Sequence, residues 1–164
     1  MRTDIPTRHR DMAHSLESEG IVQLIEIRIP GTPEVYIRIN NKRQITWQSK
    51  TWEQWAFSLT DIGIISDGEM KRPKFTVANP DGLFSSYIGR GMMDAATITL
   101  YEVLTRDITT NTNSFIKYVW RVGRVVNLNK VTATFELRSA LDGHNFTLPA
   151  RKYIPPEYPH VSFS

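Results

Sequence analysis

The chain has 164 residues and a mass of 18.9 kDa, a length that suits one domain with one sizeable core. Hydrophobic residues at 40% and charged ones at 23% exclude a disordered, collagenous or membrane-embedded chain, and the lack of cysteine excludes disulfides, thiolate metal sites and cysteine nucleophiles. The net charge of +3 is too small to mark a nucleic-acid binder by itself, and it is unevenly spread: residues 1–59, 60–110 and 111–164 carry +1, −2 and +4.

Residues 4–20 predict an amphipathic helix, capped by Asp4, with Pro6 in the first turn, Ile5, His9, Met12 and Leu16 along one face, and Gly20 at the end. The N-terminus, with Arg2, Asp4, Arg8, His9 and Arg10, has no apolar core of a secretory signal. No apolar run is long enough to span a bilayer, so no direct membrane insertion is expected. After Gly20 the period changes to two, with Ile21, Ile25, Ile27 and Ile29 facing one way and Glu26 and Arg28 the other. A turn at Pro30-Gly31-Thr32-Pro33 precedes a second strand through Val35, Ile37 and Ile39, and segments 44–48 and 51–59 form a tryptophan-rich hairpin through Ser49-Lys50.

Residues 60–68 read as a connection and 69–78 as a strand in which Pro73 prefers an edge or a bulge. Pro80-Asp81-Gly82 opens a short helix that carries Leu83, Phe84, Tyr87 and Ile88 and is stopped by Gly89 and Gly91. Three alternating strands follow, through Ala96, Ile98 and Leu100; Tyr118, Trp120 and Val122; and Val131, Ala133, Phe135 and Leu137. The sum is about eight strands: a mainly β fold, a β-sandwich or β-barrel, with an N-terminal helix and one short helix. One β domain over 1–141, with an extended C-terminal arm over 142–164, is predicted.

Two segments do not suit a compact core. Residues 105–117, rich in Thr and Asn, read as a protruding loop, with Thr109, Thr110, Asn111, Thr112 and Asn113 as a contact site. Residues 142–164 hold four prolines interleaved with aromatics, so Tyr153, Pro155, Pro156, Tyr158 and Phe163 are expected to dock on the body or on a neighbouring subunit.

Chemistry is sparse. Gly89-Arg90-Gly91 is half of a phosphate fingerprint without a parallel βαβ unit around it. His9 and His14, five apart, lie about 140° apart around a helix and cannot share a metal as an i, i+4 pair would. His144 reads as a turn residue, and Asp61, Asp67 and Glu69 as solvating carboxylates of a connection. No catalytic residue, metal or cofactor is expected. A basic groove for single-stranded nucleic acid is the competing reading, carried by Arg121, Arg124, Lys130, Arg138, Arg151 and Lys152 with Trp120 and Tyr118 as stacking platforms.

The segment Lys71-Arg72-Pro73-Lys74-Phe75-Thr76-Val77-Ala78-Asn79, followed by Gly82, resembles a motif of the minor tail protein L family of long-tailed phages. Trp120-Arg121-Val122, the run Val131 to Leu137 and Pro149-Ala150-Arg151 resemble its later motifs, and the tryptophan-rich stretch 45–59 is similar in kind. The motif positions are thus Arg72, Pro73, Val77, Asn79, Trp120, Arg121, Pro149 and Arg151. The resemblance implies a tail-tube-type fold of two packed sheets and a virion protein of the tail tip or baseplate, made in the host cytoplasm. It further implies a ring, six copies being favoured over three, between the distal tube and the central hub. The implied partners are other copies, the distal tail protein, the hub and the tape-measure protein, with DNA in passage. In such a ring the 105–117 loop would reach an adjacent ring and the arm would clamp a neighbour. Lambda-like members continue into a cysteine-bearing domain that binds an iron–sulfur cluster. With no cysteine here, a reduced form without the cluster is expected.

Overall fold

The described residues of the computed structural model are 5–7, 9, 10, 20–60 and 72–139. Nine strands form one mixed sheet: β1 (Ile21–Ile29), β2 (Val35–Asn40), β3 (Ile45–Trp47), β4 (Lys50–Gln54), β5 (Phe57–Thr60), β6 (Lys74–Ala78), β7 (Thr97–Leu104), β8 (Ile116–Leu128) and β9 (Thr132–Arg138). Their spatial order is β3-β4-β2-β1-β7-β8-β9-β6-β5. All neighbours are antiparallel except β2 and β4, which pair in parallel at Ile39 with Glu53 and Asn40 with Gln54. Two short helices lie between strands, α1 (Leu83–Gly89) and α2 (Thr105–Thr109).

The alternation in the sequence is realised as burial. Ile25, Ile27 and Ile29 share one core with Ile39, Phe75, Val77, Ile98, Leu100, Val122, Ala133, Phe135 and Leu137. Phe84 of α1 plugs that core, its ring 5.7 Å from Phe135 and 6.5 Å from Trp55. Among the described residues, Val22, Leu24, Trp47, Trp52 and Val103 form a smaller core with Tyr101, Ile108 and Phe115 on the opposite face, at one end of the sheet.

The expected sandwich or barrel is corrected to one rolled sheet that is not closed. The cause lies in residues 50–60. β4 stands next to one end of the strand order and β5 at the other, yet only Trp55 and Ala56 separate them. Trp55 N donates to Asn40 O at 2.9 Å, and Ala78 N donates to Ala56 O at 2.9 Å, so this one stretch ties β2 to β6. The sheet must roll to bring them within that reach, but β3 and β5 do not pair. Alternation reports which face is buried and is silent on whether the last strands of the row meet.

Other expectations meet the structure in detail. Pro73 stands just before β6, where its missing N–H costs no ladder bond, and its carbonyl accepts Leu137 N at 2.7 Å. The 105–117 loop is corrected: its first five residues are α2 and its last two begin β8. Val131, expected as the first inward residue of its strand, is exposed and precedes β9. In 4–20, Thr7, His9 and Arg10 are helical, and the remainder of that helix lies outside the described residues apart from Ile5, Pro6 and Gly20.

Candidate assembly surfaces

A polar clamp presents the turn between β8 and β9. Asn79, fully buried, ends β6 and holds two neighbours at once. Its side-chain amide donates to Asn129 O at 2.7 Å, its side-chain oxygen accepts Phe84 N at 3.0 Å, and its backbone N–H donates to Val131 O at 2.7 Å. The Asn129 side-chain oxygen in turn accepts the N–H groups of Val131 and Thr132 at 2.8 and 2.7 Å. Asp81 and Gly82, at φ 53° and 69°, turn the chain so that α1 starts against Asn79; the left-handed backbone at 82 explains glycine there. The turn is thereby fixed, although Val126, Leu128 and Val131 expose 47%, 36% and 73% of their surface. These apolar side chains are thus held outward on a turn whose polar groups are hydrogen-bonded.

The open face of β6, β9 and β8 is basic around one carboxylate. Arg72 Nη1 donates to Glu136 Oε1 at 3.0 Å, and Arg124 Nε and Nη2 donate to its Oε2 at 2.9 and 2.8 Å. The Arg72 hydrogen bond, with those of Arg124 after it, holds the Glu136 carboxyl below the usual carboxylate range against the opposing effect of burial. Arg121 stands directly across from Arg138. Gly123 lies at the first of two register shifts of β8 against β9, where a Cβ would lie 3.2 Å from Glu136 O.

The Thr/Asn-rich stretch folds back onto the β3–β4 turn. Asn111, at φ 51°, accepts Gln48 N on its side-chain oxygen at 2.9 Å and Gln48 Nε2 on its carbonyl at 3.1 Å, while Trp47 Nε1 donates to Thr112 O at 3.2 Å. Beneath it, Trp47, Tyr101 and Phe115 meet edge to face with centroids 5.2–6.0 Å apart. Thr109, Thr110 and Asn111 are exposed, and Thr112 and Asn113 lie beside them. Burial, and after it the Glu26 carboxylate, pushes the Tyr101 hydroxyl up to about 12 from 10.0. The unfolded phenol therefore ionises first. Stability from this group is complete below pH 10.0 and is lost as pH rises towards about 12. Denaturant midpoints measured across that window should fall more steeply for the parent chain than for Tyr101→Phe; equal slopes would refute the assignment.

Of the remaining sequence-predicted positions, Val77 and Trp120 are core residues. Trp120 stacks on Tyr118 at 5.7 Å, and both pack against the core. His9 is buried and its Nε2 donates to Glu102 O at 3.2 Å. Pro149, Arg151, Lys152, the arm residues Tyr153, Pro155, Pro156, Tyr158 and Phe163, His14, His144, His160, Asp61, Asp67 and Glu69 lie outside the described residues. Among the described residues no three His, Cys, Asp or Glu side chains gather as metal ligands, and no helix is long and apolar enough to cross a membrane. Sequence reasoning missed Asn129 and the exposed trio at the hairpin tip; the Asn-Leu-Asn-Lys run at 127–130 was the available turn signal.

Among the described residues, the polar clusters of the rolled sheet brace its turns, and Glu26, Glu34 and Glu136 are held in ion pairs. The sequence profile of the phage minor tail protein L family matches residues 34–159. The chain belongs to that family, a family of non-enzymatic structural proteins, and is a phage tail protein and virion component. The match takes in β2 to β9 and continues to residue 159, while β1, in the middle of the sheet, precedes it. No curated protein matches the chain.

Proposed function

We propose that this tail protein is a ring-forming subunit of the tail tip, seated between the distal tube and the central hub around the DNA channel. The observation that carries the reading is the fixed β8–β9 hairpin, whose exposed Val126, Leu128 and Val131 call for a partner surface within a family of tail structural proteins. Six copies suit the tube to which such a ring would join. Partners would be further copies, the distal tail protein, the hub and the tape-measure protein, with DNA in transit. The Thr109–Asn113 face, braced on Gln48, would meet an adjacent ring. The 142–164 arm, with Tyr153, Pro155, Pro156, Tyr158 and Phe163, would clamp a neighbour.

Electron microscopy of particles made without this protein should show tubes lacking their distal structure; intact tips would overturn the reading. Deleting residues 142–164 tests the arm separately. The truncated chain should be soluble with an unchanged circular dichroism spectrum and be absent from purified tails. Its incorporation at normal stoichiometry would remove the clamp from the scheme.

A further inference from the structure

We propose that the overhang of β8 pairs, edge to edge, with β5 of a second copy of this chain. The proposal rests on the ring reading and assigns the surfaces that join its subunits. β8 is 13 residues long and β7 is 8. β7 covers β8 only from Ile116 to Arg121, and Val122 N still finds Ala96 O at 3.0 Å. From Arg124 to Leu128 no described strand lies on that side of β8, while β9 occupies its other side. β5 ends the strand order, with β6 on one side and no described strand on the other.

Soluble proteins blunt such edges with charge, proline or a cover. The third free edge, β3, is three residues long, and the segment at Asn111 and Thr112 bonds to its Trp47 and to the adjoining Gln48. β5 has neither device, since Phe57-Ser58-Leu59-Thr60 carries no charge and no proline; the overhang begins with Arg124 and the Met93–Ala95 turn packs against β8, but Val125-Val126-Asn127-Leu128-Asn129 carries no charge and no proline. Apolar and polar residues alternate along β5, with Phe57 and Leu59 half-buried and Ser58 and Thr60 exposed. That pattern continues a sheet and does not end one.

The two edges also face opposite ways. In the consecutive group β8-β9-β6-β5 the overhang is one border and β5 the other. A copy that sets its overhang against β5 of the next leaves its own β5 for a third. The contact joins two unlike patches, propagates from copy to copy, and closes when the rotation per step divides a circle. Each junction would satisfy backbone groups along both edges and cover Val126 and Leu128. The charges that flank the pair are of opposite sign: Lys130 follows the overhang, and exposed Glu53 precedes β5.

A chain without cysteine gives a clean test. Ser58→Cys and Asn127→Cys, both at exposed positions, are mixed and oxidised, as purified protein at millimolar concentration and within tails assembled from the mixture. The mixture should yield a disulfide-linked dimer, whereas each variant alone should not, because the patches are unlike. Thr46→Cys on β3, mixed with Asn127→Cys, should not cross-link. Val126→Asp, at an exposed position that the junction covers, should weaken association about tenfold with an unchanged melting curve. Cross-linking of Asn127→Cys with itself, or no mixed cross-link in a mixture that sediments as an assembly or is built into tails, overturns this pairing and leaves the ring reading standing. A chain that stays monomeric at millimolar concentration and is absent from tails overturns both.

Discussion

Replacing Asn79 with alanine should lower the stability of the fold by about 2–4 kcal/mol, because the buried amide of Phe84 and the part-buried carbonyl of Asn129 both lose their partner. For a domain of this length that corresponds to a fall of roughly 5–15 °C in melting temperature. The effect should exceed that of a surface substitution because three elements meet at one side chain: β6 ends there, α1 begins there, and the β8–β9 turn hangs from it. Asn79→Asp is the informative companion. It keeps an acceptor for Phe84 N, loses the donor to Asn129 O, and sets a negative charge against that carbonyl. Its melting temperature should also fall, and its loss should grow as the pH rises through the range in which the new carboxyl ionises. Amide exchange at Val131 and Thr132 separates a local from a global origin. Both amides, held by Asn129, should lose protection in Asn79→Ala before the β7 amides do. A melting temperature within 2 °C of the parent, roughly 1 kcal/mol or less on this scale, would show that the clamp does not hold the hairpin.

Asn79 also illustrates how far the sequence could be read. Its place in a recurring segment with Arg72, Pro73 and Val77 was visible, and the structure supplies four different reasons for the four residues. Arg72 reaches Glu136, the Pro73 carbonyl serves Leu137, Val77 fills the core, and Asn79 holds a turn fifty residues away. The alternation of 25–29 and 132–138 was legible because the face a strand residue takes is a local property, whereas Ile21, expected beside Ile25, is exposed, and Val22 and Leu24 are buried in the smaller core on the opposite face. The roll of the sheet was not, since it depends on the two residues Trp55 and Ala56 being the whole link between β4 and β5. α2 escaped notice because Thr105-Arg106-Asp107-Ile108-Thr109 has weak helix propensity. Its position against the Trp47 cluster, through Ile108, is a tertiary effect. The exposed hairpin tip was hidden by the same rule that found the strand. Val131 keeps the inward phase of Ala133, Phe135 and Leu137, and only the turn geometry set by Asn129 takes it out of the core.

The aromatic cluster at the other end of the sheet gives the second large effect. Trp52 is fully buried, 6.4 Å from Trp47 and 5.8 Å from Tyr101 between ring centroids, and its removal opens the smaller core from within. Trp52→Ala should cost about 3–5 kcal/mol, the range for a large aromatic whose site cannot collapse. Collapse is resisted here because Asn40 Nδ2 holds the Trp52 carbonyl at 2.9 Å and the 111–112 segment is braced on Gln48 and Trp47 above. Trp52→Phe should behave very differently. The indole Nε1 is buried without a hydrogen-bond partner among the described residues, so the tryptophan itself carries a penalty of about 1–3 kcal/mol that phenylalanine does not. The volume lost on shrinking the ring offsets that relief, and the net change should lie within about 1 kcal/mol of the parent. Urea denaturation of the two variants decides the matter. If phenylalanine costs as much as alanine, the N–H is satisfied in solution and the cluster owes its stability to a bond rather than to packing. If phenylalanine is neutral while alanine unfolds the β3–β4 end, packing alone fixes the surface on which Asn111 and Thr112 rest. The contact role proposed for the 109–113 face would then stand or fall with the aromatic core beneath it.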